Sequence, residues 1–166
     1  LEASGQEAVL VNAKHVRHVP GRKSDQRDCQ WLRDPHSYGL LSGSFRPADD
    51  ICVLRSYLRH RDTLVRQGAA QVQRMQKALI QMNVLLTNVL SDITGVTGMN
   101  IIKAILAGER DSIVLARFRN PHVKASSDEI ARSLRGDYRR EHLFALKQSL
   151  QAHEFFQGQI DECDRD

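Results

Sequence analysis

The sequence predicts a mainly α-helical chain whose residues 1–46 form a small α/β portion. Three observations carry this prediction. Ile51, Leu58, Val65, Val72, Leu79, Leu86 and Ile93 recur every seven residues, with Leu54, Met75, Met82 and Val89 three places further on. No Pro occurs between Pro47 and Pro121 to interrupt that pattern. A second apolar stripe, Leu143, Leu146, Leu150, Phe156, Ile160 and Cys163, runs along the last part of the chain.

The elements follow in order. Residues 7–11 alternate weakly and lead into Asn12, which predicts a short buried strand ending in a loop. Val19, Pro20 and Gly21 break the chain, and a helix starts near Asp25 with Ser24 as N-cap. Asp25 and Asp28 then lie in its first turn, where acids complement the positive helix end. Pro35 should kink or end this helix near Asp34, because it has no amide proton to donate and its ring crowds the preceding turn. Gly39, Gly43 and Pro47 bracket a second loop, with Leu40, Leu41 and Phe45 predicted to pack on the helix before it.

Pro47, followed by Asp49 and Asp50, marks the next helix start. The heptad seam predicts one long coiled-coil helix over residues 47–94, with Arg61 and Gly68 as its two defects. The six repeats of the seam, from Ile51 to Ile93, extend about 60 Å at 1.5 Å per residue. A core helix of a compact bundle also carries an apolar stripe, so length is what favours the coiled coil. Gly95 and Gly98 end it.

Residues 95–166 read as a helical region folding back on the coiled coil. It opens with a tight turn and a short apolar helix through Ala107, stopped by Gly108. Helices near 112–118 and 127–134 follow, separated by Asn120 and Pro121, and a final helix begins at about Arg139. A Gly-rich turn feeding a helix can hold a phosphate; with no cation at that N-terminus in the sequence, a sharp corner between packed helices is the preferred reading.

Hydrophobic residues at 41% permit a core, although aromatics are only 5%. No run of 18 or more apolar residues exists, so no membrane span is expected, and no signal segment is visible. Cys29, Cys52 and Cys163 are far apart and unpatterned with the His residues, which suits reduced cytoplasmic thiols rather than a zinc site. The formal net charge is +4, and the front half carries it. Between positions 55 and 77 the cations Arg55, Arg59, Arg61, Arg66, Arg74 and Lys77 face only Asp62, as a solvated face or a nucleic-acid contact would.

Candidate chemistry concentrates in residues 19–32, VPGRKSDQRDCQWL. Asp25 and Asp28 are at i and i+3, so a helix puts both on one face. Like charges that close are costly unless a cation lies between them, and hard oxygen donors suit Mg²⁺ or Mn²⁺. Lys14, Arg17, Arg22, Lys23 and Arg27 surround the pair, which suggests metal-assisted chemistry on a phosphate backbone. The spacing alone leaves two readings open, a metal pair or a capped, dipole-stabilised helix start; Asp161 and Asp164 repeat it where a solvated helix face suffices. No nucleophile elbow, Walker or dinucleotide motif is present.

The string LVNAKHVRHVPGRKSDQRDCQWLRDPHSYGLLSGSFRP (residues 10–47) resembles the DEDD transposases of the insertion sequence 110 family. The resemblance continues through DITGVTGMNIIKAILAGERD (residues 92–111) and EHLFALKQSL (residues 141–150). It implies that residues 1–46 end a RuvC-like (RNase H-like) domain, in which an Asp, a Glu and a terminal Asp-x-x-Asp bind divalent metal. The terminal pair falls on Asp25 and Asp28. It also implies a DNA partner, a guide RNA in some members, a homo-oligomer through the coiled coil, and a bacterial, nucleoid-associated location. The family's first Asp and its Glu precede this region and its nucleophilic Ser lies beyond it, so the chain reads as an internal, inactive fragment. Read without the resemblance, the same residues suit a non-catalytic coiled-coil oligomerisation scaffold. An expressed remnant of a decayed element is the third reading.

Overall fold

The computed structural model describes residues 4–5, 9–12, 25–45 and 47–166, the side chains at 25–28, 30 and 31 excepted. Contacts divide the chain into two units, Leu1–Leu54 and Arg55–Asp166. The described residues are mainly helical, as the sequence predicts.

In the first unit, helix α1 spans Asp25–Ser37 and starts where the acid pair predicts. It runs past Pro35, contrary to expectation. The Gly39 amide donates to the His36 carbonyl at 3.0 Å and the Leu40 amide to the Pro35 carbonyl at 2.8 Å. With Gly39 at φ 67°, this is a Schellman ending. Pro35 therefore sits in the last turn, where its missing donor removes a single rung of a ladder that is about to end.

The buried strand expected at residues 7–11 is replaced, among the described residues, by one antiparallel bridge between Val11 and Gly43. The Ser44 amide donates to the Leu10 carbonyl at 2.6 Å beside it. Val9 and Leu10 are exposed, because one bridge offers no sheet face against which a side chain could be buried. Leu40 and Phe45, expected on α1, stand 73% and 85% exposed. The left-handed turn at Gly39 takes the chain off the helix before they arrive.

Helix α2 spans Asp49–Gln81 and passes from the first unit into the second. It stops short of residue 94, to which the heptad count extends. Asn83 adopts φ 57°; its amide donates to the Ile80 carbonyl and that of Val84 to the Leu79 carbonyl, both at 2.9 Å. Asn tolerates the left-handed region better than other side chains, so a second Schellman ending reverses the chain here. Leu86 and Ile93 keep the seven-residue count and are fully buried, but they lie beyond α2 in the reversed chain.

The second unit continues with a 3₁₀ turn at Leu86–Asn88, α3 (Val96–Leu106), α4 (Ser112–Ala116), α5 (Ser127–Ser133) and α6 (Arg140–Cys163). Gly108 (φ 108°) ends α3 as expected, and Ser126 with Glu129 forms a capping box at α5. Met75, Leu79, Met82, Leu86, Ile93, Ile101, Ile102, Ile105, Leu115, Ile130, Leu134 and Leu146 form one core with no appreciable exposure. Each such side chain contributes roughly 1.5–3 kcal/mol on burial.

Helix α6 returns beside α2, bringing Asp164 to Arg61 and Phe156 to Gly68. The buried face of α2 follows the heptad stripe only in part: Leu64, Gly68, Gln71, Met75, Ala78 and Leu79 are buried, whereas Leu58 and Val65 are exposed. Both seam defects are contacts of this hairpin. A Cβ built on Gly68 would come 3.7 Å from Phe156 Cβ, so the missing side chain lets the helices approach. The Arg61 guanidinium forks onto the Asp164 carboxylate through Nε (2.5 Å) and Nη2 (2.9 Å). That hydrogen bond holds Asp164 below the usual carboxylate range. Because the folded value is the depressed one, the tie is fully present above the ordinary Asp value of about 3.9 and is lost as pH falls through the lower, folded value. Carbon-detected NMR titration of the Asp164 carboxyl should show this low midpoint, and Arg61→Ala should return it to the ordinary value.

The reversal after α2 is clasped from the far side. Leu85 donates to the Ser133 carbonyl at 2.8 Å and Asp137 to the Met82 carbonyl at 3.0 Å. Gly136 lies so near that a Cβ there would overlap the Met82 carbonyl and Val84. Arg110 caps the end of α3 by donating to the Ile105 carbonyl, with its guanidinium 4.8 Å from the centre of the Tyr138 ring. Arg119 holds the turn between α4 and α5 through the Ala125 (2.6 Å) and Val123 (2.7 Å) carbonyls.

Candidate functional site

The acid pair belongs to a segment closed on itself. The bridge between Val11 and Gly43 joins the chain before α1 to the chain after it, so α1 rides on a loop whose ends are tied together. Positions 25 and 28 occupy the first turn of α1, one turn apart, where the helix dipole favours negative charge. The side chains of Asp25, Arg27 and Asp28 lie outside the described ones, and Lys14, Arg17, Arg22 and Lys23 lie outside the described residues altogether.

Two carboxylates at i and i+3 supply the hard oxygen donors that Mg²⁺ and Mn²⁺ take, and a four-acid site would need two more from elsewhere. Among the described residues no group of three or more His, Cys, Asp or Glu could hold a metal ion. Further along α1 the polar side chains are occupied locally: Arg33 pairs with Asp34 at 2.7 Å, and Ser37 Oγ donates to the Arg33 carbonyl at 2.9 Å. Cys29, Cys52 and Cys163 are free thiols.

The basic stretch of α2 divides by role. Arg61 belongs to the α6 contact, and Arg66 pairs with Asp62 one turn before it. Arg74 donates to the Gln71 side chain at 3.3 Å. Arg55, Arg59 and Lys77 are exposed and form no ion pair among the described residues. Sequence could not separate these roles, because Arg61 and Asp164 are brought together only by the return of α6.

The corner before α3 is also more than sequence shows. Gly95 precedes Val96 without a side-chain cap, and a cleft of about 560 Å³ opens there. His122 and Lys124, from the segment between α4 and α5, line it with Asp92, so a cation absent from the corner in sequence, Lys124, reaches it in space. Asp92 offsets Lys124, and the cleft is not a field of one sign. Asn120 donates through its amide to buried Thr97 Oγ1 at 2.9 Å, which fixes that wall.

Among the described residues no helix is long and apolar enough to cross a membrane. A family model described as Transposase, that of the DEDD transposases of insertion sequence 110, matches residues 1–84. It covers α1 and the whole of α2. Comparison with curated proteins and with solved structures found no match.

Proposed function

The chain belongs to the DEDD transposase family of insertion sequence 110, and from that premise we propose that it is part of an enzyme that cuts and rejoins DNA strands during transposition. The observation that carries this is the family match over residues 1–84, within which Asp25 opens a helix with Asp28 one turn on. On this reading residues 1–46 end a RuvC-like domain, and Asp25 and Asp28 are half of a four-acid site for Mg²⁺ or Mn²⁺. Such a metal would polarise a phosphate and activate the attacking oxygen. The two carboxylates hold it, and Lys14, Arg17, Arg22, Lys23 and Arg27 steer and fix the phosphate backbone.

The other acids and the nucleophilic Ser then come from parts of the parent outside this sequence, so these residues alone do not cut DNA. A guide RNA selects the target, and the enzyme acts on the bacterial nucleoid. The helical unit serves assembly: α2 carries a stripe that the fold leaves uncovered, and copies of the chain associate through it as in a coiled coil.

Strand exchange in the intact parent tests the metal reading. Asp25→Ala and Asp28→Ala should each reduce exchange by at least a thousandfold at unchanged protein level, because charge developing on the phosphate would lose its counter-ion. Recombination at the normal rate by both variants would remove the site from these residues.

A further inference from the structure

Helix α6 buries Leu146, Ser149, Leu150 and Ile160 and turns a different stripe to solvent. Phe144 and Phe155 lie on that stripe, 62% and 61% exposed. They are eleven residues apart, three full turns, so they share one face with about 16 Å between them. Arg140, Lys147 and Gln151 fall on the same face and are exposed. From Arg140 to Gly158 the stripe holds no acid. Glu141 and Glu154, which flank it, are each held by a cation off the stripe, Arg139 and Lys103, both at 2.8 Å. Arg140 and Lys147 form no ion pair among the described residues. The Phe155 ring is also set in place: it meets the Phe156 ring in a T-shaped contact, centres 5.6 Å apart, and Phe156 is the residue nearest Gly68 on α2.

We propose that this face of α6 binds an unpaired nucleic-acid strand, with Phe144 and Phe155 as stacking platforms and Arg140 and Lys147 on its phosphates. This rests on the reading of the chain as part of a nucleic-acid enzyme and not on the metal pair. Charge and shape select the occupant. The two large apolar side chains of the stripe stand singly among cations and amides, so they offer flat aromatic surface but little contiguous apolar area for a protein partner. Every base has a π-face, and such platforms hold unpaired bases whatever their sequence, whereas a duplex keeps those faces inside its stack. At about 3.4 Å per stacked base the two rings reach across roughly five nucleotides, with Lys147 and Gln151 along the strand between them. With its flanking acids already paired, the stripe presents only positive charge to that polyanion.

Fluorescence of the full chain tests this. With Trp31, the only Trp, replaced by Phe, the substitutions Phe144→Trp and Phe155→Trp each place a lone indole on the stripe. At low salt, oligothymidylate or oligouridylate should quench that indole, and the tighter of the two tells whether DNA or RNA is the source of the strand. Duplex DNA should quench it with about tenfold lower affinity or less. In the Phe144→Trp chain, Phe155→Leu should weaken single-strand binding about tenfold, since Leu keeps an apolar contact and loses the stacking. Arg140→Gln and Lys147→Gln should each flatten the salt slope by about 0.7. Circular dichroism should be unchanged throughout, because all four side chains are exposed. Quenching by duplex as tight as by single strand, or indifference to Phe155→Leu, would overturn the stacking face. Emission that shifts with protein concentration alone would give the face to a second copy and sink the proposal as well. Anisotropy of a labelled oligonucleotide separates the two readings. A strand that binds without quenching either indole would remove this face and leave the nucleic-acid enzyme standing. A chain that binds neither single strand nor duplex would remove the face too, and strand exchange in the intact parent would still judge the enzyme.

Discussion

Replacing Leu79 with Asp is expected to unfold the helical unit rather than to separate two copies of it. The heptad count places Leu79 on the same stripe as Leu58, yet the fold treats them oppositely. Leu79 has no exposure, and its carbonyl accepts the Val84 amide that closes the end of α2. It belongs to an apolar core with Met75, Met82 and Leu146 among its members. A buried, unpaired charge costs several kcal/mol, against a total of about 5–15 kcal/mol for a domain. Circular dichroism of Leu79→Asp should show the helical signal lost at room temperature. Leu58→Asp should keep the parent melting temperature within a few degrees and lower self-association alone. A Leu79→Asp chain that stayed folded and became monomeric would mean that Leu79 faces another copy.

Gly98→Ala should be the most damaging single-methyl change in the unit. Gly98 lies in the first turn of α3, and a Cβ there would overlap the backbone of Ile93, carbonyl included. Backbone cannot swing aside as a side chain can. Relief would require the turn at residues 92–95 to move, and that turn is held by the Asp92 carboxylate accepting from the Thr94 amide (2.8 Å) and hydroxyl (2.6 Å). Ile93 is itself buried, so any shift propagates into the core. Overpacking of this kind costs about 3 kcal/mol, which should appear as a lower denaturant midpoint at unchanged slope. Alanine is otherwise the better helix former, so a stabilised variant would show the turn to be free to yield. Gly108→Ala, with open space around it, isolates the cost of positive φ and should destabilise by about 1 kcal/mol.

Local signals were legible in the sequence wherever a residue acts on its own neighbourhood. The acids that open α1, Gly108 after α3 and the apolar stripe of α6 each led to an element of the right type. The errors share a different cause. A seven-residue count measures distance along the chain, and it kept its phase through Asn83, where the chain turns back. Three of its members were therefore assigned to a helix that had already ended. Arg61 and Gly68 looked like faults in a seam because the partner that explains them lies on α6. Pro35 looked like a stop because the true stop, Gly39, follows within the same turn. The acid pair was legible as a motif through its resemblance to a family and through its helix start. The cations grouped with it in sequence had no comparable geometric signature.

The tie between Arg61 and Asp164 spans 103 residues. Bringing together chain ends that far apart costs roughly 4 kcal/mol in loop entropy if nothing between them is ordered. The cost shrinks once the intervening turns have formed, and most of those turns join near neighbours. That difference in cost predicts an order of assembly, in which α3, α4 and α5 condense on the reversal at Asn83 before the α2–α6 hairpin zips outward from there. The contact that looks like the clamp of the hairpin is then its last tooth to engage. In hydrogen exchange the amides around Cys163 should open on a far shorter timescale than those around Leu146, while the core is still closed.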